Sequence, residues 1–507
     1  MSISSAYEKI KANIGPDGRM PPSFTLEPRT APDQIAFVPG AEDRIFSPAA
    51  VDEQIIQKLA ALLKEYFKTE SAQCLSQIEA VLEQHRAISL IDPLLQSIRE
   101  NHEGIDVNNL VNFSFRLAKA SANLELIKIA IGMFGLLDLG NIAQVRDIVY
   151  TLGLYEEFTL YAAVAASNWT GGNQMIFQLA KNVSGWGKIG AVECIAPDSQ
   201  EIREWILREG CANHVMDAYL GLPCAVKGDL ICALRQDWID DELFDGIAII
   251  IEALLDEGPA RGISVYEYAQ EALLRYLTHA KQHVSSVEHL RHILNLRDWA
   301  ENAKIDYQDA ILAGCDEIIN WPEWPEKIVA AAKRRAGRFE LFCACRAADY
   351  MGIDISALLF EAVQSDLQEY GSYIPDVMKR PEMALQIIGL CEAALPLNIM
   401  AQGMGNYFFA DRFRKEYQCL EYALLELGRY PLKGVRLVKT ALNCPIIRQR
   451  NAACRVLSEW SKLEGKPLSE LSPELYAETA GIHKAEVNEK TKEFMQKLLD
   501  GETGDDQ

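Results

Sequence analysis

At 507 residues, 49% hydrophobic and 24% charged, the chain is long enough for two to four ordinary domains or one extended repeat array, and its composition excludes wholesale disorder. Its 72 acidic against 50 basic residues leave a net charge of -22, whose field repels phosphate backbones and anionic membrane surfaces; no nucleic-acid partner is expected. The longest apolar stretches, Ile127–Leu139 and Ile247–Leu255, hold Lys128 and Asp138 or Glu252 and fall short of the roughly 20 residues of a bilayer span.

In chain order, residues 1–50 come first. The start, MSISSAYEKIKANIG, has no apolar core of a secretory signal, so a cytoplasmic location is expected. Seven prolines between Pro16 and Pro48 predict an irregular, extended arm, because proline fixes φ and donates no backbone hydrogen bond. Its apolar residues Phe24, Leu26, Ile35, Phe37, Val38 and Phe46 predict that it lies along the body.

From Val51 the pattern becomes helical. Val51, Ile55, Ile56, Leu59, Leu62, Leu63 and Phe67 follow the i, i+4, i+8 stripe of an amphipathic helix. Similar helices follow, punctuated at Asp92-Pro93, Gly140-Asn141, Gly171-Gly172, Ala196-Pro197-Asp198, Gly258-Pro259, Trp324-Pro325 and Cys444-Pro445. Strand signals are nearly absent, which predicts an all-α fold. Short turns impose antiparallel neighbours, in bundles or in a solenoid of stacked helix pairs over residues 51–465, followed by C-terminal helices and a polar tail over 466–507.

Gly185-Trp186-Gly187-Lys188-Ile189-Gly190 matches the dinucleotide fingerprint GxGxxG. That chemistry needs a strand before the glycines, whereas FQLAKNVS reads as helix, so the glycines are expected to permit a tight interhelical turn with close packing. Further on, His279, His283, His289 and His292 fall within THAKQHVSSVEHLRHIL. The first pair is spaced i, i+4 and the second i, i+3, so each pair can share a helix face, with Ser285 and Glu288 as the capping pair between them. With Glu288 the four histidines could hold zinc or iron; the alternative is a solvated helix junction. Trp321 and Trp324 read as an interhelical corner, and Tyr407, Phe408 and Phe409 as a longer loop, with pocket lining the alternative for both.

Twelve cysteines are scattered from Cys74 to Cys454 and read as reduced, buried, small side chains. Cys343 and Cys345 diverge by about 200° on a helix, which disfavours a shared metal. An internal echo lays Gly187–Ile195 on Gln449–Leu457, matching Lys188 to Arg450, Ala191 to Ala453, Val192 to Cys454 and Ile195 to Leu457. A basic residue early in a helix followed by small and apolar ones fits the inner helix of a HEAT-type repeat, which favours the solenoid. GxSxG, Walker A, HExxH, CxxCH and haem-thiolate signatures are all missing.

Three stretches, IGPDGRMPPSF, GWGKIGAVECIAPDSQEIREWILREGC and NCPIIRQRNAACRVLSEW, together resemble a group of bacterial proteins of about this length named limonene hydroxylase, with HEAT-like helical architecture. The resemblance implies oxidation of the monoterpene limonene to carveol and perillyl alcohol, with onward dehydrogenation to carvone and perillyl aldehyde. It assigns no catalytic residue. Hydroxylating an unactivated C–H bond with O2 requires NAD(P)H and a flavin, haem or metal centre, because side chains lack that redox chemistry. The other expectation is a scaffold whose concave face binds a protein partner.

Overall fold

The computed structural model describes residues 5–26, 37–46, 51–101, 103, 105–258, 260–407 and 414–501. Among them the chain is all-helical, with a single isolated bridge between Tyr407 and Ile446 in place of any strand. No helix among the described residues is long and apolar enough to cross a membrane.

The elements fall into two compact units, Met1–Val284 with His292–Ile319, and Ser285–Arg291 with Asn320–Gln507. The first contains α1 (Ala6–Asn13), α2 (Glu42–Ile45), α3 (Glu53–Thr69), α4 (Ala72–Gln84), α5 (Ala87–Glu100), α6 (Val107–Ala120), α7 (Leu124–Phe134), α8 (Ala143–Gly153), α9 (Glu156–Ser167), α10 (Gly172–Asn182) and α11 (Gly185–Cys194). It continues with α12 (Gln200–Trp205), α13 (Ala218–Lys227), α14 (Leu230–Leu234), α15 (Asp241–Leu255) and α16 (Ala269–His283). Then come α17 (Val287–Asn302), which crosses the division, and α18 (Gln308–Ile319). The second unit contains α19 (Trp324–Arg334), α20 (Arg338–Met351), α21 (Ser356–Ser365), α22 (Leu367–Tyr370), α23 (Ile374–Met378), α24 (Pro381–Ala394) and α25 (Leu397–Met400). It closes with α26 (Arg414–Leu427), α27 (Val435–Leu442), α28 (Ile447–Glu464), α29 (Leu468–Leu471), α30 (Pro473–Ala485) and α31 (Glu489–Leu499).

The amphipathic stripe predicted from Val51 becomes α3. Asp52 caps it by accepting from the Gln54 amide, and Ile56, Leu59, Leu63, Tyr66 and Phe67 are its buried face. Two sequence expectations change. Ala6–Asn13, inside the segment expected to be irregular, is a helix: the Ser5 hydroxyl accepts from the Glu8 amide at 3.2 Å, and Ala6, Tyr7 and Ile10 are buried. Asp92-Pro93 is no break, because α5 runs through Pro93; the burial of Leu90, Ile91, Leu94 and Ile98 on one face outweighs the lost backbone donor. Of the arm's apolar residues, Leu26 is buried, with its amide donating to the Tyr155 hydroxyl at 3.2 Å, and Phe24 meets the Tyr155 ring edge-on. Phe37, Val38 and Phe46 are exposed, and Ile35 lies outside the described residues, as do Pro28, Pro32 and Pro48.

Within each unit, helices pack mainly on others near them in sequence. In the first, α7 packs on α5, α6 and α9, α9 on α8, α10 and α11, and α11 on α10 and α13, so these helices meet a sequence neighbour and the helix two places away. In the second, α23 packs on α24 and α26, α26 on α28, and α28 on α27 and α31. Side-chain bonds recur at nearly constant spacing. Asn182 Nδ2 donates to Tyr150 Oη, Lys227 Nζ to the Ile195 carbonyl and Arg208 to Asp240, each across 32 positions. Trp169 Nε1 donates to the Phe134 carbonyl across 35 positions, Trp460 Nε1 to Leu427 across 33 and Arg450 to Glu486 across 36. Two helices of ten to fourteen residues plus their turns occupy about that length.

Candidate functional sites

The glycine-rich turn opens α11. Gly185 has φ +54, the left-handed region that glycine tolerates, and its amide donates to the Asn213 carbonyl at 2.8 Å. The Glu156 carboxylate lies on the helix N-terminus, accepting from the Trp186 amide and the Ser184 hydroxyl, each at 3.1 Å. A Cβ on Gly185 would sit 2.1 Å from Glu156 Oε2, and one on Gly187 2.7 Å from Thr159 Oγ1. The glycines therefore bring α11 against α9, and the place where a pyrophosphate would bind is filled by a side-chain carboxylate. Burial pushes the Glu156 carboxyl up, against the lowering effect of those hydrogen bonds.

The four histidines take separate partners. His279 Nε2 lies 3.1 Å from the Leu234 carbonyl; His283 Nδ1 pairs with Asp241 at 2.7 Å while its ring stacks on Phe244; His292 Nδ1 pairs with Glu252 at 2.5 Å. The cap between the pairs is Ser286, one residue beyond the expected Ser285: its hydroxyl accepts from the His289 amide, and His289 Nδ1 accepts in turn from the Ser285 amide, each at 3.3 Å. His289 thus fills the reciprocal capping role expected of Glu288. Among the described residues no group of three or more His, Cys, Asp or Glu side chains is placed to hold a metal ion. The cysteines, Cys343 and Cys345 included, are free thiols; nine are buried, Cys194 and Cys345 are half-buried and Cys232 is exposed.

The densest charge cluster was not singled out from sequence. Lys128, on α7, is fully buried, with Nζ 2.5 Å from Glu157, 2.6 Å from Asp43 and 3.1 Å from Glu125. Asp43 also accepts from the Tyr161 hydroxyl at 3.0 Å and pairs with Arg86; Glu157 accepts from the Gly40 amide at 2.8 Å, and Glu125 from the Ala87 amide. Burial opposes the Lys128 charge, but Glu157, Glu125 and Asp43 outweigh it and hold the ammonium above its usual value. The cluster joins α2, α7 and α9 and the start of α5. The signal was present: α7 is apolar on all sides apart from Glu125 and Lys128, the pattern of a central helix, and a charge there must be paired.

The echoed basic residues also bind neighbouring elements. Lys188 Nζ donates to the Glu209 carbonyl at 2.7 Å, and burial lowers its pKa. Fully buried Arg450 grips both oxygens of Glu486 at 2.7 and 2.8 Å and donates to the Cys444 carbonyl at 2.8 Å. Trp321 and Trp324 stack at 6.0 Å at the start of α19, with Trp324 fully buried, as a corner requires. Tyr407 is exposed, and Phe408 and Phe409 lie outside the described residues.

Two clefts among the described residues are rich in charged side chains. One, of about 210 Å3, lies beside the π-helical turn Ile206–Gly210 and is lined by Arg203, Glu204, Arg208, Trp238 and Asp240. The other, of about 400 Å3 and in the second unit, is lined by Asp349, Asp354, Asp376, Lys379 and Arg380. Their charges are largely satisfied within the cleft, Arg208 by Asp240, Arg380 by Asp354 and Lys379 by Asp376, the last three contacts at 2.7 Å. These linings differ from the apolar enclosure that a monoterpene would need. Comparison with protein-family models and with curated proteins finds no match for this chain. The described residues define an all-helical protein.

Proposed function

We propose that the chain is a non-enzymatic scaffold, each unit a HEAT-like stack of helix pairs whose concave face receives a protein partner. The observation that supports this most is the side-chain bonding at a spacing of 32 to 36 residues, which ties successive helix pairs in register and absorbs Arg208, Lys227 and Arg450 into structure. Affinity capture with the full chain should enrich one partner reproducibly, at comparable stoichiometry and in a concentration-dependent way. Recovery of no partner above background contradicts the reading.

The resemblance supports a second reading, oxidation of limonene to carveol and perillyl alcohol. It would need NAD(P)H and a redox centre that no convergent set of described side chains is placed to hold as a metal. Purified chain incubated with limonene, NAD(P)H and iron should then release oxygenated product; none above the boiled control removes this reading.

A further inference from the structure

We propose that the turn between α19 and α20, together with the exposed face of α20, docks an acidic peptide segment carrying a large aromatic residue. The inference rests on the scaffold reading and specifies the partner's chemistry. Residues 333–338 read KRRAGR, four cations and no carboxylate, in a chain of net charge -22. The turn is held from within: Arg335 closes α19 at φ +49, and the buried Glu340 carboxylate accepts from the Ala336 amide at 2.8 Å while pairing with Arg334.

The remaining positive charge has little to neutralise it. Among the described residues Lys333 has no ion-pair partner, and Arg338 reaches its nearest carboxylate, Glu369, only at 3.8 Å with its side chain 59% exposed. Arg335 Nη1 is buried without a hydrogen-bond partner. Next to these cations, on the first turns of α20, Phe339 and Phe342 are 55% and 49% exposed and stack on each other with centroids 6.4 Å apart. The Arg291 guanidinium lies 5.2 Å from the Phe339 centroid. Adjacent exposed aromatics and arginines on a prebuilt turn have the composition of an interface hot spot. Charge complementarity selects an acidic occupant. A polynucleotide is disfavoured, since four cations release few counterions and the whole chain repels phosphate.

The test uses the full-length chain and a short fluorescent peptide of Asp and Glu around one Trp, with its Trp→Ala analogue and a single-stranded DNA of equal charge as comparators. The Trp peptide should bind most tightly. Lys333→Glu with Arg338→Glu should weaken it about tenfold and flatten its salt dependence, while Phe339→Ala with Phe342→Ala should weaken it about fivefold and leave the salt dependence intact. Absent binding, indifference to both variants, equal affinity for the Ala analogue, or DNA bound as tightly would each overturn the proposal. So would dimerisation of the wild type that the phenylalanine variant abolishes, since the face would then belong to a second copy. If captured partner is retained by both variants, this site fails and the scaffold reading stands; if no chain captures a partner, the scaffold reading itself fails.

Discussion

Lys128 in the first unit and Arg450 in the second are both fully buried cations on central helices, yet they are neutralised differently. Arg450 needs one carboxylate, because its planar fork takes both oxygens of Glu486 and has an arm left for the Cys444 carbonyl. Lys128 is a point charge with three donors, and three carboxylates from three elements converge on it. The lysine therefore couples segments distant in sequence, residue 43 to residue 157, whereas the arginine ties α28 to Glu486, between α30 and α31. The guanidinium gives geometric order and the ammonium gives convergence.

Breaking the lysine cluster should have the largest effect. Lys128→Met leaves three carboxylates facing one another around a missing cation and should destabilise the first unit by about 3–5 kcal/mol, read as faster amide exchange across α5, α7 and α9. Arg450→Met should cost less, about 2–3 kcal/mol, because the Glu486 carboxylate keeps the Val487 and Asn488 amides, each at 2.9 Å. Adding Glu486→Gln should recover part of that loss by removing the stranded charge while preserving an acceptor for those amides. An equal cost for the two cation substitutions would erase the contrast.

A packing substitution comes next. Gly187→Ala places a methyl 2.7 Å from Thr159 Oγ1 and 3.2 Å from the Glu156 backbone, and should cost about 1–3 kcal/mol in thermal or urea unfolding. The smallest effect is the acid response of two solvent-accessible clusters of ion pairs. Hydrogen bonding from Arg208 depresses Asp240 to about 2, and hydrogen bonding from Arg235 and Arg275 depresses Glu271 to about 2. A carboxylate with a depressed folded pKa stabilises fully above its unfolded value, near 4, and loses that contribution as pH falls through about 2. Melting temperature should fall over that window, and Asp240→Asn with Glu271→Gln should remove a small part of the fall, since solvent screens both pairs.

The helices were legible because their signals are local: the stripe from Val51, the Gly140 and Gly171 turns, and the glycines whose packing role the structure places between α9 and α11. Pro93 misled because proline's local cost is real, but burial on the far side of α5 decided the outcome. The histidine turn has the spacing of metal ligands, but what each ring meets is a group 40 or more positions away, the Leu234 carbonyl for His279, Asp241 for His283 and Glu252 for His292, or the neighbouring backbone for His289. The Lys128 cluster was half legible. A lysine inside an apolar run must have partners, but nothing local identifies residue 43 as one of them.

If the charged and histidine-rich clusters of this chain are structural, the purified chain holds no tightly bound metal. Elemental analysis with an absorption spectrum on the purified full-length chain, after saturation with zinc and with iron and then desalting, tests it most directly. A structural role predicts less than a tenth of an equivalent of either metal, flat absorbance above the protein band, and no difference between wild type and His283→Ala with His289→Ala. About one equivalent of tightly held metal in the wild type, lost in that double variant, would contradict it.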